Sequence, residues 1–132
     1  MSSYLDSIKW NNEGLVPVIV QETATNKVIM FAWMNRETLE RSIQERKAIY
    51  WSRSRKKVWM KGEESGHIQY IDSIALDCDQ DSILLKVRQE GGIACHTGRA
   101  TCFYNNLEMS TGMLIEIEPV IKDPNEIYKD KK

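Results

Sequence analysis

Apolar and polar residues along this chain alternate in short runs more often than they follow a helical period. Residues 15–21 and 27–33 are rich in Val, Ile, Met, Phe and Trp, and the polar stretch 22–26 between them predicts a hairpin turn. One segment breaks the pattern. Asn35 offers an N-cap, residues 36–45 have a polar surface, and Leu39 with Ile43 makes an i, i+4 apolar contact, which together predict an exposed helix. Residues 48–51 and 58–60 then read as short strands around the basic turn Ser52-Arg53-Ser54-Arg55-Lys56-Lys57. A long β-branched and aromatic run covers 67–76, and 82–88 and 101–104 continue the β pattern. One helix against many strands predicts an α+β fold, mainly antiparallel β, as a small roll or partly open β-barrel capped by that helix.

The chain's 132 residues and 42% hydrophobic content suit one cored domain, expected over 1–121, with a charged tail at 122–132 that frays. A net charge of −1 offers no argument for nucleic acid or membrane as a partner. No apolar run approaches the roughly 20 residues needed to span a bilayer. The opening Met1-Ser2-Ser3-Tyr4-Leu5-Asp6 lacks the basic start and apolar run of an export signal, so a cytoplasmic, reducing location is expected.

In that compartment clustered cysteines point to metal binding or catalysis more than to disulfides. All three lie between Cys78 and Cys102, and Cys78 sits inside Asp77-Cys78-Asp79-Gln80-Asp81. If the preceding strand stays extended, Asp77, Asp79 and Asp81 share one face and Cys78 points to the other, so carboxylates and thiol serve different sites. Oxygen ligands select a hard ion such as Mg²⁺, while three thiolates with one open position form the pattern of a catalytic Zn²⁺ site. His96 is either a fourth ligand or, because neighbouring side chains diverge from Cys95, a general base beside the metal. The bland alternatives are an acidic turn in water and three cysteines acting as small apolar residues.

Two further segments carry chemistry. Three glycines in residues 89–99 mark a loop whose ligands can converge. Arg forks and hydroxyls in the basic turn suit phosphate, with Trp51 and Trp59 able to stack on a base, although loops are polar whatever they bind. Residues 61–67 hold Lys61, Glu64, Ser65 and His67 between two glycines, either as a plain turn or as a ligand-presenting loop.

Four blocks together carry a resemblance. Trp51-Ser52-Arg53-Ser54-Arg55, then Trp59-Met60-Lys61-Gly62-Glu63-Glu64-Ser65-Gly66-His67-Ile68-Gln69, then Asp77-Cys78-Asp79-Gln80-Asp81, then Ala94-Cys95-His96-Thr97-Gly98-Arg99 with Cys102-Phe103, resemble the signature of the phosphoribosyl-AMP cyclohydrolases of histidine biosynthesis. The likeness spans about Gly14 to Phe103, in order. Glu64 stands where that family usually has Thr, and Thr101 where Ser is common. The bifunctional relatives carry a second, pyrophosphohydrolase domain, which this length does not accommodate, so a single step is expected.

The resemblance implies an intertwined homodimer with zinc shared across its interface, Cys78 of one subunit meeting Cys95 and Cys102 of the other, and magnesium on Asp77, Asp79 and Asp81. It implies as substrate an adenine nucleotide bearing phosphoribosyl groups on N1 and N9, whose N1–C6 bond is opened by water. His96 or His67 would serve as base and as proton donor to N1, and Trp51, Ser52, Arg53, Ser54, Arg55, Lys61, Glu64, Ser65 and Arg99 would contact the substrate. Two rivals fit less well. A zinc nucleoside deaminase carries H-x-E and P-C-x-x-C signatures, and neither His67-Ile68-Gln69 nor His96-Thr97-Gly98 matches them. A zinc-stapled module for single-stranded nucleic acid needs a closed four-ligand site.

Overall fold

The computed structural model describes residues 3–128. Its centre is a four-stranded sheet in the order β2-β1-β6-β5, built from β1 (Leu15–Glu22), β2 (Val28–Asn35), β5 (Gln69–Leu76) and β6 (Ile83–Gln89). Val16, Val18 and Val20 of β1 and Ile83, Leu85 and Val87 of β6 are buried at alternate positions, as a sheet with one covered face requires. They meet Ile29, Ala32 and Met34 of β2, Leu5 of the short helix α1 (Ser3–Ser7) and Leu39 of α2 (Arg36–Glu45).

The boundaries of α2 follow from its caps. Asn35 Oδ1 accepts from Thr38 N at 2.8 Å while Thr38 Oγ1 accepts from Asn35 N at 2.8 Å, a reciprocal capping box, and Arg46 ends the helix in the left-handed region at φ 59°. Ser42, fully buried, donates to the Thr38 and Ile49 carbonyls and accepts from Ile49 N, which docks the helix on β3 (Ile49–Ser52).

Three expectations need correction. The strands form an open four-stranded sheet and two separate hairpins in place of the expected roll or partly open barrel, and the central pair of the sheet is parallel: β1 and β6 run the same way from Val18↔Ile83 to Glu22↔Val87, while β1–β2 and β5–β6 are antiparallel. Alternation reports which face is covered but carries no information on the direction of a partner about sixty residues away. Residues 101–104 are irregular instead of a strand, because Thr101 and Cys102 direct their polar groups to the β2 carbonyls of Val28 and Ile29. The two remaining strand pairs stand apart, as hairpins β3–β4 (β4, Lys57–Met60) and β7–β8 (Asn105–Leu107 and Leu114–Glu116).

Besides α2 there are two five-residue helices, α1 and α3 (Pro124–Tyr128). The described part of the charged tail is held in place: Ile121 N and Lys122 N donate to the Gly98 carbonyl, and Ile127 is buried. Its last four residues lie outside the described ones.

Candidate active site

The β3–β4 hairpin, the loop 61–65, the loop 94–102 and the β2 residues Met30 and Phe31 enclose a cleft of about 780 Å³. Ser52, Arg55, Lys57 and Trp59 supply its hairpin wall, Lys61, Glu64 and Ser65 a second, and Ala94, His96 and Cys102 a third. The hairpin tip is fixed locally, since Ser52 Oγ accepts from Arg55 N at 3.2 Å and Lys56 takes a left-handed φ of 53°. Arg55 and Lys57 are exposed and have no ion-pair partner among the described residues.

Arg53 faces another way. Its guanidinium lies 4.6 Å over the Trp33 ring and 3.8 Å from Glu13, in a shallower pocket of about 320 Å³ with Trp51 and Ser54. Phe31, Ser52 and Trp59 line both spaces, so the two adjoin. Trp33, Phe31 and Lys57 are site residues that motif reading missed. The available signal was alternation: Phe31, exposed, and Trp33, half-buried, occupy the same face of β2, opposite the covered one.

The thiols lie at the third wall, where Cys102 lines the cleft and Cys95 is buried beside it. Cys95 is buried and Thr97 Oγ1 donates to its sulfur at 3.1 Å. The loop around it is closed by Ala94 N and Cys95 N donating to the Arg99 carbonyl and by Gly98 N donating to the Cys95 carbonyl. Cys102 N donates to Ile29 O at 2.7 Å, so the second thiol is anchored on the β2 edge.

Although Cys102 is exposed as a residue, burial of its sulfur and the neighbouring Cys95 together push its thiol up to about 12, against the opposing pull of the Lys61 ammonium. Lys61, whose Nζ donates to the Ala94 carbonyl, is pulled below its ordinary value by burial, against the favourable pull of the two thiols. A thiol that burial keeps from ionising, beside a second buried sulfur, is a donor pair suited to a soft cation.

Cys78 does not join them within one chain. Among the described residues, the one group of three or more possible ligands is Asp77, Asp79 and Asp81, with ligand atoms within 4.8 Å of one another. His96, exposed in the cleft, likewise does not complete a three-ligand group with Cys95 and Cys102.

The carboxylates come together by a different route from the extended one expected. Residues 77–81 form the turn between β5 and β6: Gln80 N donates to Asp77 O at 3.0 Å, Asp77 N to Ser82 O at 3.1 Å, and Gln80 adopts φ 60°. Asp77 Oδ1 accepts from Asp81 N and Ser82 N. Slight desolvation pushes Asp77 upward, but hydrogen bonds from Asp81 and Ser82 outweigh it and hold the carboxyl below its usual range. Asp81 goes the other way, raised by its hydrogen bond to Asp77, by desolvation and by the neighbouring Asp77 and Asp79 charges. A cation would remove that conflict. Neither Cys78 nor any of the three aspartates lines the cleft of its own chain.

His67 is partly buried and stands behind the cleft rather than on its surface. Its ring packs on Gly91, where a Cβ would lie 3.1 Å from Cδ2. Burial lowers its pKa, the Lys61 and Lys122 ammonium groups lower it further, and Glu90 opposes them. A buried polar chain secures this region: Tyr50 O–H donates to Gln69 Oε1 at 2.6 Å, Gln69 Nε2 to Gln89 Oε1 at 2.8 Å, and Gln89 Nε2 to the His67 carbonyl at 2.9 Å. Burial, reinforced by nearby Cys102, keeps the Tyr50 hydroxyl protonated well above its ordinary range, and its ring packs 5.1 Å from that of Trp59. Arg99 does not line the cleft. Its side chain is 11% exposed and is directed toward Tyr104, Glu116 and Glu118.

A family model described as phosphoribosyl-AMP cyclohydrolase matches residues 30–104. A protein of that name from Burkholderia vietnamiensis is 55% identical over 131 residues, covering 98% of this chain and 95% of its own length. Proteins of the same name from Burkholderia cenocepacia and Burkholderia multivorans are 54% and 53% identical over the same coverage.

Proposed function

The chain belongs to the phosphoribosyl-AMP cyclohydrolase family, hydrolases of histidine biosynthesis, and we propose that it opens N1-(5-phosphoribosyl)-AMP between N1 and C6 as a cytoplasmic, zinc-dependent homodimer. The observation that carries this reading is the cleft in which an exposed imidazole, His96, the uncommitted cations Arg55 and Lys57, and Cys102 face one space, with the buried Cys95 beside Cys102.

Cys95 and Cys102 would hold zinc together with Cys78 of a second copy. Zinc there supplies a Lewis acid that makes hydroxide available near neutral pH. In the reaction the water oxygen bonds to C6, the N1–C6 bond breaks, N1 departs carrying the proton, and the 6-amino nitrogen stays as the carboxamide. His96 takes the proton from water and returns it to N1, work suited to an imidazole exposed in the cleft. His67, kept neutral by burial and by Lys61, contributes from behind the loop 61–65. Lys61, beside both sulfurs, would offset negative charge on the ligands of a zinc ion held there.

Arg55 and Lys57 bind one phosphate in the larger space and Arg53 with Ser54 the other in the shallower one, while Trp51 and Trp59 border the base. Asp77, Asp79 and Asp81 hold magnesium, which supplies a hard cation for phosphate or ribose oxygens.

The dimer is supported by unmet burial as well as by the distant Cys78. Phe103, Leu107, Met113, Leu114, Ile117 and Ile121, on and beside β7–β8, are all more than half exposed. An isolated two-stranded hairpin is marginal in water, and a second copy would cover this apolar face.

The test is the ultraviolet spectrum of N1-(5-phosphoribosyl)-AMP incubated with the purified protein, followed after chelation and after returning zinc with and without magnesium. A change that tracks zinc, with the opened imidazole carboxamide confirmed by mass, is expected. His96→Ala should lower kcat far more than it weakens zinc binding. A folded, metal-replete dimer that leaves the spectrum unchanged would sink the proposal.

A further inference from the structure

We propose that Arg99 is a positioning residue that holds the Cys95–Cys102 pair in register by tying its loop to the C-terminal hairpin, an inference that rests on the zinc reading above. One residue joins the two halves. Its carbonyl accepts from Ala94 N at 3.1 Å and from Cys95 N at 3.0 Å, which sets the backbone of the first thiol. Its side chain holds the chain that follows the second thiol. Nε donates to the Glu118 carbonyl at 3.0 Å, an Nη donates to Glu116 Oε1 at 3.1 Å, and the guanidinium lies 4.0 Å over the Tyr104 ring.

The β7–β8 hairpin is solvent-exposed along both strands, and the segments that flank it are tied besides by the Lys27–Glu118 ion pair, by Cys102 N donating to Ile29 O and by Ile121 N donating to Gly98 O, none of which reaches the backbone of Cys95. Gly98 adds a close approach, since a Cβ there would overlap the Lys122 carbonyl oxygen, and its φ of 86° suits glycine alone. Gly98 and Arg99 thus seat the segments after Cys102 against the Cys95 loop. An arginine is required for the chemistry observed: a fork that donates to a carbonyl and a carboxylate while its face stacks on an aromatic ring, which a lysine ammonium cannot reproduce. Two of its donors and its face are engaged within the chain and it has no place on this cleft wall, which favours positioning over phosphate binding as its role.

The experiment compares Arg99→Met and Arg99→Lys with wild-type full-length protein. Zinc affinity is measured by competition with a chromophoric chelator, the thiolate-to-cobalt charge-transfer band by absorption, and KM at saturating zinc. Loss of a group that orients a metal ligand typically weakens binding about 10–100-fold, and a drop in that range is expected for Arg99→Met, with an altered cobalt band and KM within about twofold of wild type. Arg99→Lys, which keeps charge and bulk, should fold where Met does not and should still bind zinc more weakly. Wild-type zinc affinity in a folded variant, with KM raised about tenfold, would overturn the inference and make Arg99 a substrate ligand. No thiolate-to-cobalt band in the wild-type protein would overturn the zinc reading and this inference with it.

Discussion

Replacing Gln69 by Leu probes the polar chain beneath the cleft. Gln69 is fully buried, accepts from Tyr50 O–H at 2.6 Å, and donates to Gln89 Oε1 at 2.8 Å and Met30 Sδ at 3.3 Å. Gln69→Leu leaves the Tyr50 hydroxyl without its acceptor and Gln89 Oε1 without its donor. Each buried orphan costs about 1–3 kcal/mol, hence about 2–6 kcal/mol for the two. The leucine recovers about 1 kcal/mol through its apolar surface, leaving a net loss of about 1–5 kcal/mol.

Tyr50→Phe removes a donor and orphans only Gln69 Oε1, for about 1–3 kcal/mol. In the double variant only Gln89 Oε1 remains unsatisfied, so its cost should fall short of the sum of the singles by about 2 kcal/mol or more. Urea denaturation at one fixed protein concentration, with metal present throughout, measures all four proteins. Single effects that add within about 0.5 kcal/mol, or a Gln69→Leu variant as stable as wild type, would refute the reasoning.

Other outcomes follow from the same geometry. Arg55→Met and Lys57→Met should each raise KM about tenfold for the bis-phosphorylated substrate, as loss of a charge-assisted hydrogen bond predicts, and change KM much less for its N1-ribosyl analogue; equal effects on both would remove these residues from phosphate binding. Because the folded pKa of His67 lies below its unfolded value of about 6.5, the unfolded chain takes up the proton first, and stability is lost as pH falls from there through the folded value. His67→Gln should flatten that part of a stability–pH curve, and an unchanged slope would show that another group carries it. Cys78→Ser and Cys95→Ser proteins, each inactive alone, should regain about a quarter of wild-type activity when subunits are mixed and exchanged, since half the dimers would then carry one intact shared site. No recovery after demonstrated exchange would exclude the shared site.

Local chemistry was readable without coordinates. Asn35 followed by Thr38 caps α2 through bonds a few residues long, so the helix appears where the sequence predicts it. The turn after β1 and the basic tip between β3 and β4 were legible for the same reason: turn preferences act over neighbouring residues. The identities of the thiols, carboxylates and imidazoles, and their order in four blocks, were also enough to indicate the family.

Tertiary structure decided what depends on distant segments. The parallel β1–β6 pairing joins strands separated by α2 and the β3–β4 hairpin, and short-range alternation is blind to that direction. The aspartates cluster because the chain reverses at Gln80, where φ turns positive, so the projected strand faces did not apply to them. Arg99 belongs to a basic, glycine-rich motif that reads as ligand-binding, yet its guanidinium is taken by Glu118, Glu116 and Tyr104, partners five to nineteen residues away. Sequence determines which groups can donate, accept or ionise; their use is decided by which of them the closed chain leaves facing one another.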